Sequence, residues 1–481
     1  MTYEFKTNPY SHQKEALKRM LPHEEFALLM EMGTGKTKVA IDEIGILHDR
    51  GEINAALILA PKGVYANWPN IEFPLHMPDG IKKMVHLWNG FGTATARRRI
   101  EQLMTFDGLS ILVMNTEALS GGKTSKACTI AREFLRNRRA VVYVDESTYL
   151  KNHKANRTKN ATEICTYAKR RRIMTGSPVP RSPLDFFAQF NFLKKGLLGT
   201  TSFYAFRARY AIMKQLVLRD RTVNVVDRYQ NLDDLRERVE QHSFRVTKEQ
   251  CLDLPPKVYK RRNVELTKEQ RDIYKSLVDD AFAEVGDGFV STTEVITLIL
   301  RLHQVVCGHV ADADGNLVRL KTNRPSAMLD AIEESSGKVI IWARYREDLR
   351  LIGETLAKEF GRDSYVQYHG GVNNRDRETA VDRFQNDPTC RFFVANQQTG
   401  GYGITLTAAE TVIYYSNDFD LEKRMQSEDR AHRSGQKKTV TYVDLVAPET
   451  VDEKILQALK DKKNLADYVT GDSLEEILNG H

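Results

Sequence analysis

Phe26-Ala-Leu-Leu-Met-Glu31-Met-Gly-Thr-Gly-Lys-Thr37-Lys-Val-Ala-Ile-Asp-Glu-Ile44 decides the fold. Five unbroken apolar residues read as a buried strand, the glycines as a tight turn and the run from Lys38 as a helix. Strand, glycine turn and helix in that order make a phosphate cradle. Gly33, Thr34 and Gly35 bring main-chain N–H groups to an anion, and the helix adds its positive N-terminus. In such a cradle Lys36 reaches the β- and γ-phosphates and the Thr37 hydroxyl ligates Mg2+. The strict template has glycine at position 30, where this chain has Met30. Upstream, a helix is expected over 9–20; its Gln13 is placed to pair with an adenine edge, although a glutamine there would otherwise read as surface.

Downstream, Ala55-Ala-Leu-Ile-Leu-Ala-Pro61, Ser110-Ile-Leu-Val-Met-Asn115 and Ala140-Val-Val-Tyr-Val-Asp-Glu146 are further buried strands. Asp145 and Glu146 fall at a strand's C-terminal end, the edge where open parallel sheets bind ligands. A bare Asp-Glu after a strand is usually a helix cap. Paired with the Lys36 loop, Asp145 is expected to hold Mg2+ and Glu146 to deprotonate an attacking water. Arg172-Ile-Met-Thr-Gly-Ser-Pro178 is the next strand and turn. The preceding Lys169-Arg-Arg-Arg172 reads as a solvated strand entry rather than a nuclear address. Strands alternating with helices describe a doubly wound parallel α/β domain over roughly residues 1–200.

From 181 to 320 the pattern becomes helical, with aromatic runs such as Phe186-Phe-Ala-Gln-Phe190 expected in the core. Leu254-Pro-Pro-Lys257 is an extended linker signal. Asp312-Ala-Asp-Gly-Asn316 resembles a calcium loop, but its glycine comes too early and the closing glutamate is missing, so a hairpin turn is expected. Cys307-Gly-His309 lacks a second ligand pair, so no structural zinc is expected. Parallel-sheet patterning resumes at Gly337–Ala343, Tyr365–Gly371, Arg391–Asn396, Thr411–Tyr415 and Thr439–Val446. This second α/β domain has no phosphate loop of its own, because Gly400-Gly-Tyr-Gly403 lacks the lysine. Thr450-Val-Asp-Glu-Lys-Ile opens a basic amphipathic closing helix with a capping-box pattern.

A chain of 481 residues holds two or three domains with full cores. Hydrophobic content of 41% and charged content of 28% are ordinary for a globular protein. A net charge of +7 agrees with a nucleic-acid partner without establishing one, since 64 acidic residues are interspersed. No apolar run is long enough to span a bilayer and the N-terminus lacks a signal peptide's apolar core, so no membrane association is expected. Five scattered cysteines, never in a Cys-x-x-Cys pair, point to a reducing compartment without a disulfide framework.

Gln426-Ser-Glu-Asp-Arg-Ala-His-Arg-Ser-Gly-Gln436 places Arg430 and Arg433 three apart in a segment expected to be helical, so both can face one phosphate. With this stretch the residues closely resemble the SNF2-type ATPases of helicase superfamily 2, over nearly the whole chain. Met32-Gly-Thr-Gly-Lys-Thr37 is similar to motif I, and Leu59-Ala-Pro-Lys62 with Trp68 to motif Ia. Asn115-Thr116 falls at motif Ib, Asp145-Glu-Ser-Thr148 resembles motif II and Thr175-Gly-Ser-Pro178 motif III. Val339-Ile-Ile-Trp342 looks like motif IV, Thr399-Gly-Gly-Tyr-Gly-Ile-Thr-Leu406 like motif V, and 426–436 like motif VI. Asp145-Glu-Ser and the short spacing between landmarks look most like the annealing-helicase branch. Thr148 departs from a frequent histidine and Trp342 from a frequent phenylalanine.

The resemblance implies two RecA-like lobes at 1–200 and 321–449. Helical insertions and a linker would occupy 201–320, and a brace helix 450–481. It implies ATP and Mg2+ held by Gln13, Gly33, Thr34, Gly35, Lys36, Thr37, Asp145 and Gly403. Glu146 would activate water, and Arg430 and Arg433 would act as arginine fingers. Thr175, Gly176, Ser177 and Gln426 would couple hydrolysis to motion. Lys62, Asn115, Thr116, Thr399 and Thr405 would track a DNA backbone. The implied activity is ATP-dependent translocation on double-stranded DNA; alternatives are a branch-migration, fork-remodelling or annealing helicase on branched DNA. A P-loop kinase or nucleotide switch fits less well, given a second lobe with its arginine pair. A monomeric motor without accessory modules is expected, in the cytoplasm of a bacterium or phage-infected cell rather than a nucleus.

Overall fold

The structure is a computed structural model that describes residues 3–90, 94–176, 182–217, 222–286, 292–311, 316–335, 337–400 and 404–469. Contacts divide the chain into two units, the first built from residues up to Ile212 and Tyr229–Asp253, the second from Met213–Arg228 and Leu254–Lys463. Each is α/β with a parallel sheet.

In the first unit the strands are β1 (Glu25–Met30), β2 (Ala55–Ala60), β3 (Lys83–Leu87), β4 (Leu109–Asn115), β5 (Ala140–Asp145) and β6 (Arg170–Met174). A separate two-stranded sheet of β7 (Ala211–Val217) and β8 (Thr222–Tyr229), which falls mostly in the second unit, precedes the first unit's β9 (Ser243–Val246). The seven-stranded order is β3-β4-β2-β5-β6-β1-β9, with every pairing parallel. Period-2 alternation sends Ala27, Leu29, Leu57 and Leu59 to one face, with Phe134, Phe186 and Phe190. Phe26, Leu28, Met30 and Ile58 go to the other, against Val39, Ile41 and Ile44. Both faces are covered, which is why these strands read as continuous apolar runs rather than alternating ones.

The second unit repeats the plan. Its strands β10 (Lys257–Asn263), β13 (Lys338–Ala343), β14 (Tyr365–Tyr368), β15 (Phe392–Asn396), β16 (Ala409–Tyr414) and β17 (Val440–Val446) run in the order β10-β17-β16-β13-β15-β14, all parallel. The closing helix Val451–Val469 packs Val451, Ile455 and Leu459 against Leu302, Val306 and Leu421. At its start Thr450 Oγ1 accepts from Asp452 N, while Glu453 reaches back to Glu449 N at 2.9 Å. Asp452 is buried and takes the Arg324 guanidinium and the Ala447 N–H.

Several expectations change. The stretch 201–320 is not only helical, since β9 extends the first sheet and β10, directly after Leu254-Pro-Pro256, edges the second. β11 (His309–Ala311) and β12 (Leu317–Arg319) pair antiparallel, as a hairpin there requires; of the calcium-like stretch 312–316, residues 312–315 lie outside the described residues. Within Lys169–Arg172 only Lys169 is exposed as a solvated entry would be. Arg170 is 9% exposed and Arg172 is fully buried, because alternation points both inward, where Glu43 and Glu52 meet them. Among the described residues no helix is long and apolar enough to cross a membrane.

Candidate nucleotide site

β1 ends at Met30 and the first long helix after it, α1 being Ser11–Met20, is α2 (Lys36–Asp49). Between them Gly33 and Gly35 take φ of 80° and 87°, the left-handed region where glycine is favoured. A Cβ on Gly35 would also lie 2.1 Å from the Gln13 amide nitrogen. Met30 needs no such freedom, because its side chain fills the core while its carbonyl accepts from Lys36 Nζ at 2.9 Å. Lys36 is 8% exposed and also reaches Glu31 O at 3.2 Å. Thr34 Oγ1 donates back to Glu31 O at 2.7 Å, closing the loop on itself. Gln13 braces that loop: its Nε2 donates to Thr34 O at 3.1 Å and its Oε1 accepts from Tyr10 N at 2.9 Å. His12 bonds the same Thr34 carbonyl at 2.8 Å.

Because β5 pairs with β6 and β6 with β1, their C-terminal ends lie side by side. This brings Asp145, Glu146, Thr175 and Gly176 to the loop that carries Lys36. Burial raises the Asp145 carboxyl above its usual range, offset by the hydrogen bond from Trp68 and by the charge of Lys36. Glu146 has φ of 50°, a conformation that a non-glycine residue holds only where its surroundings enforce it. Thr175 Oγ1 donates to Glu146 Oε2 at 3.1 Å, and Thr175 N is anchored on Leu28 O at 3.1 Å. A Cβ on Gly176 would stand 2.9 Å from Met32 N, so this glycine permits the turn after β6 to touch the phosphate loop. Thr37 and Asp145 offer only oxygen donors, a set that fits a hard divalent cation such as Mg2+.

In the second unit the helix Leu421–Glu428 stops before Arg430, so the expectation of a helical face for Arg430 and Arg433 is corrected. Glu428 O still accepts from His432 N at 3.2 Å, beside Tyr442 Oη at 2.9 Å, but Arg430 O is taken by Leu406 N at 2.9 Å, which leaves no carbonyl there for a further helical turn. Gly435, at φ of 99°, turns the chain, and the Gln436 amide ties it to the carbonyls of Thr407, Ala409 and Ala431. The two arginines still meet on one atom. Arg430 Nη1 and Arg433 Nη1 both donate to Ile404 O, at 3.1 and 3.4 Å. Gln426 is 1% exposed and donates to Glu422 at 3.2 Å.

Of the backbone-tracking candidates, Lys62 is exposed and Thr399 and Thr405 are half-buried. Asn115 spends its side-chain oxygen capping Ala118 N at 2.7 Å. Thr116 is fully buried, so its hydroxyl presents no surface donor. Ser177 and Gly403 lie outside the described residues. A role for the indole of Trp68, whose Nε1 donates to Asp145 Oδ2 at 3.1 Å, is visible only in the structure, and sequence reading did not give it. Nor did it find the buried Glu43–Arg172–Tyr143 cluster behind α2. In the sequence only a tryptophan shortly after a strand end hinted at the first.

The SNF2-related domain family matches residues 12–310 and the helicase conserved C-terminal domain family residues 323–435. Among curated proteins, the chain is 26% identical to "Protein CHROMATIN REMODELING 4" of Arabidopsis thaliana, over 94% of this chain and 21% of that protein. It is 25% identical to "Uncharacterized ATP-dependent helicase MG018" of Mycoplasma genitalium, over 95% and 42%. It is 27% identical to "DNA annealing helicase and endonuclease ZRANB3" of Bos taurus, over 92% and 38%. The chain thus spans well under half the length of these relatives. A solved structure, "Sulfolobus solfataricus SWI2/SNF2 ATPase core in complex with dsDNA", is similar at 22% identity and a TM-score of 0.43, covering 99% of this chain and 97% of that one. By the extent of the first family match, and with the helicase C-terminal match following it, the chain belongs to the SNF2-related family.

Proposed function

We propose that this protein is an ATP-dependent DNA translocase, hydrolysing ATP to ADP and phosphate to track along double-stranded DNA and remodel DNA or protein–DNA structures. One observation carries the reading: a glycine-cradled lysine, a strand-end Asp145 and a Thr175-held Glu146 converge on one sheet edge. In this reading Lys36 and the loop N–H groups bind the β- and γ-phosphates. Thr37 and Asp145 would hold Mg2+, which neutralises phosphate charge when bound. Glu146, oriented through Oε2 by Thr175, takes the proton of the attacking water. Arg430 and Arg433 offset charge on the transferred phosphoryl group, a contribution worth roughly 10³–10⁵ in rate. Lys62, Thr399 and Thr405, together with main-chain groups near Asn115 and Thr116, follow DNA phosphates, so little sequence preference is expected.

A second reading is favoured by the bovine relative named as a DNA annealing helicase. In it the substrate is a fork or four-way junction. Steady-state ATP hydrolysis without nucleic acid, with single-stranded DNA, with linear duplex and with a junction separates the two. Strong stimulation by plain duplex supports translocation, and a marked preference for the junction supports remodelling. Equal rates in all four conditions would refute the motor. Lys36→Ala and Glu146→Gln are expected to abolish turnover with DNA binding retained, and Arg433→Ala to stop turnover while sparing ATP binding.

A further inference from the structure

Trp68 is 2% exposed and its indole N–H reaches Asp145 Oδ2 across 77 residues of chain, at 3.1 Å. The ring has little freedom to leave. The Trp68 carbonyl is captured by Phe73 N, closing a five-residue π turn over Trp68–Glu72, and the indole packs against the Phe73 ring with 5.7 Å between centroids. Single π turns are rare and are frequently found at functional sites. An indole N–H is a donor only, so against a carboxylate its role cannot be reversed. The connection that carries exposed Lys62 therefore also carries the group that fixes the orientation of Asp145.

We propose that Trp68 is a positioning residue for the divalent-cation site: its N–H holds the Asp145 carboxylate in the orientation that receives the cation, so affinity for metal, rather than for nucleotide alone, depends on it. This rests on the nucleotide-site reading above. Outer partners that orient a ligating group commonly matter for metal affinity by 10–100-fold.

Trp68→Phe keeps an aromatic ring and deletes the donor. With the full chain and ADP, free Mn2+ is counted by electron paramagnetic resonance. Mn2+ affinity is expected to fall about tenfold or more, while ADP affinity in excess chelator stays unchanged. Low-Mg2+ turnover should fall, with kcat recovered at saturating Mg2+. In an Asp145→Asn background, Trp68→Phe should have no further effect on Mn2+ affinity. Unchanged Mn2+ affinity in Trp68→Phe, with a loss in Asp145→Asn, would overturn the positioning role alone. Unchanged affinity in both would remove Asp145 from the metal and the nucleotide-site reading with it. Loss of ADP binding in chelator would show that the ring serves the fold instead. Should Trp68→Phe not fold, Trp88→Phe/Trp342→Phe leaves Trp68 as the only tryptophan of three. Bound Mn2+ is then expected to quench its emission, and absence of quenching would overturn the proposal.

Discussion

Arg172→Met tests how the phosphate-loop helix is held. Arg172 on β6 and Glu43 on α2 are both fully buried, with Nη2 to Oε1 at 2.7 Å and Nε 3.1 Å from each carboxylate oxygen. The remaining donors serve the carbonyls of Glu24 and His23, each at 2.7 Å, while Tyr143 on β5 donates to Glu43. Methionine approximates the volume but leaves the carboxylate without its cation, two turns along α2 from Lys36. Breaking a buried pair on one side costs about 3–5 kcal/mol. For a unit of this size each kcal/mol moves the melting temperature by roughly 2–4 °C, so a fall on the order of 10 °C is expected. Glu43→Leu/Tyr143→Phe/Arg172→Met removes every polar member. It should return to within about 1–2 kcal/mol of the parent, since apolar replacement of a whole buried pair is often neutral. Urea unfolding followed by fluorescence in a Trp342→Phe background reports the first unit, which holds Trp68 and Trp88. A loss below about 1 kcal/mol in Arg172→Met, far under the cost of a stranded buried charge, would refute the reasoning. A triple variant no more stable than the single would do the same.

Gly176→Ala puts a Cβ 2.9 Å from Met32 N and must displace the phosphate loop. Its KM for ATP is expected to rise about tenfold, equal to ~1.4 kcal/mol, with an unchanged melting temperature. An unaltered KM would show that the loop yields freely. Burial raises the Asp348 carboxyl to about 7, and burial with the nearby charges of His303 and Arg324 lowers His309 to about 4. Asp348 contributes stability that is complete below about pH 4 and lost as pH rises through about 7. His309 contributes stability that is complete above about pH 6.5 and lost as pH falls through about 4. The two oppose each other, so Asp348→Asn should leave stability rising with pH across that window and His309→Gln should leave it falling. Melting curves with the same slope in both variants would exclude this pair. Gln436→Leu strips a donor from three carbonyls around the Arg433 turn. A cost of about 1–3 kcal/mol and a drop in kcat exceeding any change in ADP affinity are expected, measured by unfolding and steady-state kinetics.

What the sequence determined by itself was whatever local chain chemistry dictates. Continuous apolar runs at β1, β2, β4 and β5 announce strands buried on both faces. The Gly33/Gly35 turn before Lys36 announces a cradle, because positive φ and close approach admit little else. The strands without such a signal, β3, β9 and β10 together with the two-stranded pair β7 and β8, are all sheet edges. An edge strand has one neighbour and can stay polar, as Lys257–Asn263 does, so periodicity carries no signal there. Tertiary structure decided everything that depends on partners distant in the chain. Arg172 is charged and reads as solvated until Glu43, 129 residues away, and Tyr143 arrive to receive it. Arg430 and Arg433 share a target through the Ile404 carbonyl rather than a helical face, because Leu406 takes the Arg430 carbonyl and Gly435 turns the chain. The orientation of Asp145 by Trp68 is of the same kind. A hydrogen bond between residues 77 apart has no local periodicity, and only the packing that brings β2's exit to β5's end creates it.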